Sequence, residues 1–173
     1  PEKLSNQLCS LRPHEDKLCF SAVFRFDQDH NVVSRWFGRT VICSACRMSY
    51  EEAQAVLDKV IDVHTSSGPI PEPIREGLFF LHALAHKLRK ERMHRGAIAF
   101  ERPEVKVQVD EKGVPLSIQV MELLDSHWLI EEFMLLANRE VAEFINKKKD
   151  KKTGKAPTFV YRVHEAPAED KIT

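Results

Sequence analysis

Between Leu129 and Ile145, apolar residues recur at three- and four-residue steps: Ile130, Phe133, Met134, Ala137, Val141, Phe144 and Ile145. This period places them on one face of a helix. Glu132, Arg139 and Glu143 fall on the opposite face, where water is expected to solvate them. Glu131 and Asn138 lie two turns apart on the border. A carboxylate on such a border is half desolvated and held in direction by a packed helix, which suits binding or catalysis. The plainer reading is an edge residue that hydrogen-bonds a neighbouring loop.

Elsewhere the period changes. Leu18 to Phe26 and Val32 to Ile42 read as strands joined by the turn-rich Asp27–Asn31, a hairpin pattern. Ser49 with Glu52 three residues on forms a capping box, opening a helix that runs to about Val63. Thr65 to Pro73, with Gly68 and three prolines, reads as a loop. A second helix is predicted over Ile74–Arg95, with Ile74, Leu78, Leu81, Ala85 and Leu88 on one face and Gly96 ending it. Short strands follow at Ala97–Phe100, Val105–Val109 and Leu116–Met121, the last two joined by Asp110–Gly113. Lys147 to Lys155, with six lysines, is a solvated loop, and Thr158–His164 is a final strand. Pro1 to about Asp16 reads as a loop. Antiparallel pairs with helices packed on them define an α+β class, a mixed and mainly antiparallel sheet.

Composition narrows this picture. A chain of 173 residues, 43% hydrophobic and 30% charged, fits one soluble domain with a real core. No apolar run reaches the roughly 20 residues of a membrane span, and no export signal opens the chain, so a cytoplasmic location without membrane contact is expected. The 26 basic and 26 acidic residues balance, so bulk charge announces no nucleic acid. Cys9, Cys19, Cys43 and Cys46 are expected to be reduced thiols. The chain starts at Pro1, without an initiator methionine, and reads as cut from something longer.

The chemical motifs taken singly are weak. Cys43 and Cys46 have the spacing of half a zinc site, and a zinc-binding interaction domain would need a second pair. His82 and His86 stand four apart, but Ala83 occupies the position where helical zinc enzymes carry glutamate, so they read as ordinary flank histidines. His14-Glu15-Asp16 reads as a solvated turn. Asp27, Asp29, Asp58, Asp62 and Asp125 are scattered, without the clustering that two-metal hydrolysis requires. The basic run Lys87–Arg95 with Phe100 beyond it is the best nucleic-acid signal, set against the reading of a solvated helix end leading into a buried strand aromatic.

Five segments together resemble a known family: PEKLSNQLCSLRPHEDKLCFSAVF at 1–24, WFGRTVICSACRMSYEEAQ at 36–54, LHALAHKLRKERMHRGAIAFERPEVKV at 81–107, LIEEFMLLANREVAEFI at 129–145 and FVYRVHEAP at 159–167. Their order and spacing resemble the catalytic domain of RNB-family exoribonucleases, the ribonuclease R and ribonuclease II type, closest to the bacterial ribonuclease R branch. The resemblance implies that residues 1–173 are an internal fragment of a single RNB catalytic domain. It implies a processive 3′→5′ hydrolase of single-stranded RNA releasing nucleoside 5′-monophosphates. The family's magnesium-binding aspartates and its RNA-clamping tyrosine correspond to positions before Pro1, and its charge-stabilising arginine to one after Thr173. No catalytic or metal-binding residue is therefore carried over, magnesium belongs to the parent, and the isolated fragment is expected to be inactive. Phe100 in GAIAF matches the aromatic that stacks on the last nucleotides. Glu131 in LIEEF matches the glutamate near the 3′-terminal ribose. Tyr50 in RMSYEE matches the tyrosine that helps that glutamate favour RNA. A carboxylate and a phenol can both engage a 2′-hydroxyl, the group DNA lacks. Asn138 is a further candidate for the channel wall. The alternative is a non-catalytic RNA-binding module or scaffold of the same fold. Truncation is also expected to expose apolar surface suited to a non-native dimer.

Overall fold

The computed structural model describes residues 2–60, 62–65, 68–98, 104–110, 112–121, 123–149, 153–155 and 157–163. They fall in two compact units, Pro1–Leu135 and Leu136–Thr173. In the first unit, a helical turn of π type at Lys3–Leu8 interrupts the expected opening loop. Strands β1 (Asp16–Phe26) and β2 (Val32–Cys43) then pair antiparallel, from Asp16 opposite Cys43 to Phe26 opposite Val32. The Asp27 carboxylate closes their turn by accepting the Asn31 backbone N–H at 2.8 Å, which lets His30 sit at a φ of 61°. Within β1 the alternation is inverted relative to a buried sheet. Lys17, Cys19 and Ser21 are half-buried, whereas Leu18 and Phe20 are exposed. Gly38 allows the Trp36 indole to lie on the strand, because a Cβ there would stand 2.4 Å from the ring.

Helix α1 (Tyr50–Leu57) opens with the capping box: Ser49 Oγ accepts the Glu52 N–H at 3.2 Å, and Glu52 accepts the Ser49 N–H at 2.7 Å. It stops six residues before the predicted Val63. Lys59 turns left-handed at φ 62°, and the N–H groups of Val60 and Lys59 bond the carbonyls of Ala55 and Val56, both at 2.9 Å. This is a Schellman ending, with lysine where sequence reading looks for glycine. The chain then folds Val63 and Ile70 onto Val56, forming a small core that Met48, Ile74 and Leu78 flank. Within the predicted 65–73 loop, two-residue strands β3 (His64–Thr65) and β4 (Gly68–Pro69) pair antiparallel.

Helix α2 (Glu72–His94) starts with Pro73 in its first turn, where a missing N–H costs nothing, and buries Leu84 and Ala85. Gly96, at φ 96°, follows its end. Strands β5 (Glu104–Val109) and β6 (Pro115–Met121) pair antiparallel across an Asp110 turn, whose carboxylate accepts the N–H groups of Lys112 and Val114 at 2.8 Å. The expected strand at 97–100 is not formed at Ala97 and Ile98, and its remainder lies outside the described residues.

Helix α3 (Asp125–Lys147) begins earlier than its apolar period suggested. Its first turn is anchored on α1: the buried Ser126 donates its hydroxyl to the Tyr50 carbonyl at 2.9 Å, and its N–H to the Gln54 side chain at 3.1 Å. The helix is rotated from the predicted facing. Leu129, Glu132, Leu136 and Glu140 are buried, while Ile130 and Met134 are exposed. Glu132, expected in water, is only 3% exposed.

In the second unit, residues 157–163 run without regular structure, so the expected strand from Thr158 does not form over its described part. Val160 and Val163 are exposed, and a strand without a ladder partner gains nothing from alternation. Antiparallel pairs and packed helices nonetheless bear out the α+β class.

Candidate functional site

The first turn of α3 packs against Tyr50 of α1. The Tyr50 ring stacks on His127, with centroids 4.1 Å apart and planes 18° from parallel. Glu131 stands one turn after His127 on α3, whereas Tyr50 reaches that helix from α1. Beside Tyr50 opens a cleft of about 470 Å³, walled by Met48, Leu78, Ser126, Leu129 and Ile130. Glu131 is not part of that wall. One of its oxygens accepts from Arg92 Nη2 at 3.0 Å, which fixes the direction of a side chain that remains half-exposed.

Arg92 is the hub of this region. Its Nε lies 3.1 and 3.2 Å from the two oxygens of Glu132, and its Nη2 bonds both Glu131 and Glu132. These bonds, with Glu132 foremost, hold the guanidinium above its ordinary pKa and outweigh the opposing effect of burial. They also explain how a carboxylate can occupy the buried side of α3: charge enters an interior when it is paired and hydrogen-bonded. Arg89 lies 4.3 Å over the Trp128 ring and 4.0 Å from Glu132. Lys87 bonds the Asp29 carbonyl, and Arg95 pairs with Glu91 at 3.8 Å. Lys87, Arg89 and Arg92 of the basic run thus tie α2 to other elements, whereas the Arg95 pair lies within the helix and its end.

A second cluster lies where α2 faces the start of α3. His82 Nε2 is 3.0 Å from His86 Nε2 and 3.4 Å from Asp125 Oδ2, and His86 Nε2 is 3.8 Å from Asp125 Oδ1. Asp125, scattered in sequence, was not legible as a partner of the histidine pair. Spacing along α2 gave the pair, and only tertiary packing supplied the third donor.

Asn138 falls in the second unit, exposed, on a cleft of about 440 Å³ that Val141, Phe159, Tyr161 and Arg162 also line. It is thus described apart from Tyr50 and Glu131. Phe100 lies outside the described residues. Of the CxxC pair, Cys46 packs against the small core with its Sγ 3.9 Å from the Thr65 hydroxyl, and Cys43 is an exposed thiol at the end of β2. Neither cysteine joins a group of three metal-type donors among the described residues. Glu15 of the His14 turn is taken by Lys17 at 2.7 Å and Arg12 at 3.0 Å, Lys17 contributing most to its lowered pKa.

The sequence matches the RNB domain over residues 1–173, and the chain belongs to that family. It is 39% identical over 153 residues to DIS3-like exonuclease 2 of Schizosaccharomyces pombe, covering 85% of this chain and 16% of that protein. It is 37% identical over 172 residues to ribonuclease R of Aquifex aeolicus, covering 99% of this chain and 23% of the relative. Its fold matches Mycoplasma genitalium RNase R in complex with ribose-methylated single-stranded RNA, with a TM-score of 0.76 and 27% identity over 84% of this chain and 22% of that one. The chain spans less than a quarter of the length of each.

Proposed function

We propose that this chain is a segment of the catalytic domain of a processive 3′→5′ exoribonuclease that hydrolyses single-stranded RNA to nucleoside 5′-monophosphates. In this reading it supplies part of the RNA channel and the residues that select the sugar. The magnesium ions and the aspartates that hold them belong to other parts of the parent. The observation that carries the reading is the match to the RNB domain over residues 1–173. Tyr50 of α1, stacked on His127 of α3, and Glu131 of α3, held by Arg92, are the residues the reading assigns to the sugar. Glu131 uses one oxygen on Arg92, and a carboxylate has further acceptor sites with which to meet a ribose 2′-hydroxyl.

In the full-length parent, Glu131→Ala is expected to lower the preference for RNA over DNA of the same sequence. A hydrogen bond to a charged group is worth about 1.5–3 kcal/mol, or roughly tenfold and more in that ratio. Equal losses on both nucleic acids would refute the assignment. The isolated chain, given 3′-labelled single-stranded RNA and magnesium, is expected to release no mononucleotide. Robust release would reject the proposed division of labour.

A further inference from the structure

We propose that His82, His86 and Asp125 form a binding site for a divalent transition metal of the zinc class, which clips α2 to the first turn of α3. Three observations converge. The donor set, two imidazoles and a carboxylate, is one that zinc accepts, with a fourth position left to solvent. The geometry fits as well. A tetrahedral ion held at roughly 2.0–2.1 Å from each donor separates its ligand atoms by about 3.3–3.4 Å. The two imidazole nitrogens stand 3.0 Å apart, and the nearest Asp125 oxygen is 3.4 Å from His82 (Oδ2) and 3.8 Å from His86 (Oδ1). One donor atom from each residue can be chosen so that all lie within 4.8 Å of one another. Finally, the same residues line a cavity of about 10 Å³, bounded also by Ala85, Arg89, Trp128 and Leu129, which is the size of a single small centre.

The neighbouring cation does not block the site. Arg89 is drawn over the Trp128 ring and toward Glu132. The two histidines leave the same face of α2 one turn apart, so a rigid helix presets their spacing. Asp125 comes from the anchored first turn of α3, which Ser126 holds on α1. A metal here would replace the imidazole–imidazole contact with two coordinate bonds. This site is independent of the RNA-selecting role proposed for Tyr50 and Glu131.

The test is equilibrium binding of zinc, and of cobalt(II) as a spectroscopic substitute, to the EDTA-treated 173-residue chain, with far-UV circular dichroism recorded on every sample. The expected result is one metal per chain and a rise in Tm with zinc. His86→Gln and Asp125→Asn should each weaken binding by at least the roughly 10- to 100-fold that loss of even an outer-sphere partner brings. His86 is half-exposed, so its replacement is expected to leave the helical signal unchanged. The cobalt spectrum should show tetrahedral ligand-field bands without intense near-ultraviolet thiolate absorption. Failure of the wild-type chain to bind stoichiometrically overturns the proposal. So does unchanged affinity in either variant, or a thiolate band that places the metal on the cysteines.

Discussion

Replacing Arg92 with methionine tests how α3 can bury an acid. Arg92→Met keeps the aliphatic bulk but removes the guanidinium that meets both oxygens of Glu132 at 3.1 and 3.2 Å. Glu132, 3% exposed, would then face Arg89 at 4.0 Å with poorer geometry. Stranding one member of a buried ion pair costs about 3–5 kcal/mol, and the residual attraction of Arg89 places the expectation near the bottom of that range, about 3 kcal/mol. The reciprocal Glu132→Met leaves Arg92 bonded to Glu131 and 29% open to water, so its loss should be smaller, about 1–2 kcal/mol. The double variant strands neither charge. It should be about as stable as Glu132→Met, giving a coupling of about 3 kcal/mol. Urea unfolding followed by circular dichroism reads this directly, because the roughly 1–3 kcal/mol/M slope of small proteins converts 3 kcal/mol into a midpoint loss of about 1–3 M. Losses that add in the double variant to within about 0.5 kcal/mol would show that the two charges do not depend on one another.

Further expectations follow from local geometry. Ser49→Ala removes the acceptor for the Glu52 N–H and should cost about 1 kcal/mol in the same unfolding assay, whereas Ser49→Asp should retain most of it. The Asp27 carboxyl sits below its ordinary pKa of 3.8, chiefly through the Asn31 N–H. Because the folded value is the lower one, its stabilisation is complete at neutral pH and is lost as pH falls below 3.8 toward the folded value. Asp27→Asn should therefore flatten the acid limb of a stability–pH profile and leave other regions of it unchanged in shape. Gly38→Ala should push the far edge of the Trp36 indole off the strand and alter the near-UV dichroism. The ring is half-exposed and free to swing, so stability should change by no more than about 1 kcal/mol.

Much of the fold was legible along the chain. The two long strands, the Ser49 cap, the three helices and both hairpin turns follow from alternation, capping chemistry and turn residues, all of which act over a few positions. Where reading failed, a distant group was responsible. The end of α1 was missed because Lys59 takes the left-handed position without glycine, closed by the Val60 and Lys59 N–H bonds to Ala55 and Val56, after which Val63 joins the small core. The strand from Thr158 was missed in the other direction: its alternation is real, but no ladder completes it among the described residues.

The candidate site divides in the same way. The sequence by itself determined that α3 is a helix, that Glu131 lies on its flank, and that His82 and His86 share a face of α2, because helical period is a local property of the backbone. Tertiary structure alone decided which side of α3 is buried. The apolar count favoured Ile130 and Met134, but Arg92 arriving from α2 neutralises Glu132 and turns the helix by satisfying a charge the interior would otherwise reject. Packing likewise decided that Tyr50 meets His127 and that Asp125 joins the histidine pair. Such encounters join residues about 40 to 80 positions apart. No local period encodes them, since they depend on where whole helices come to rest against one another.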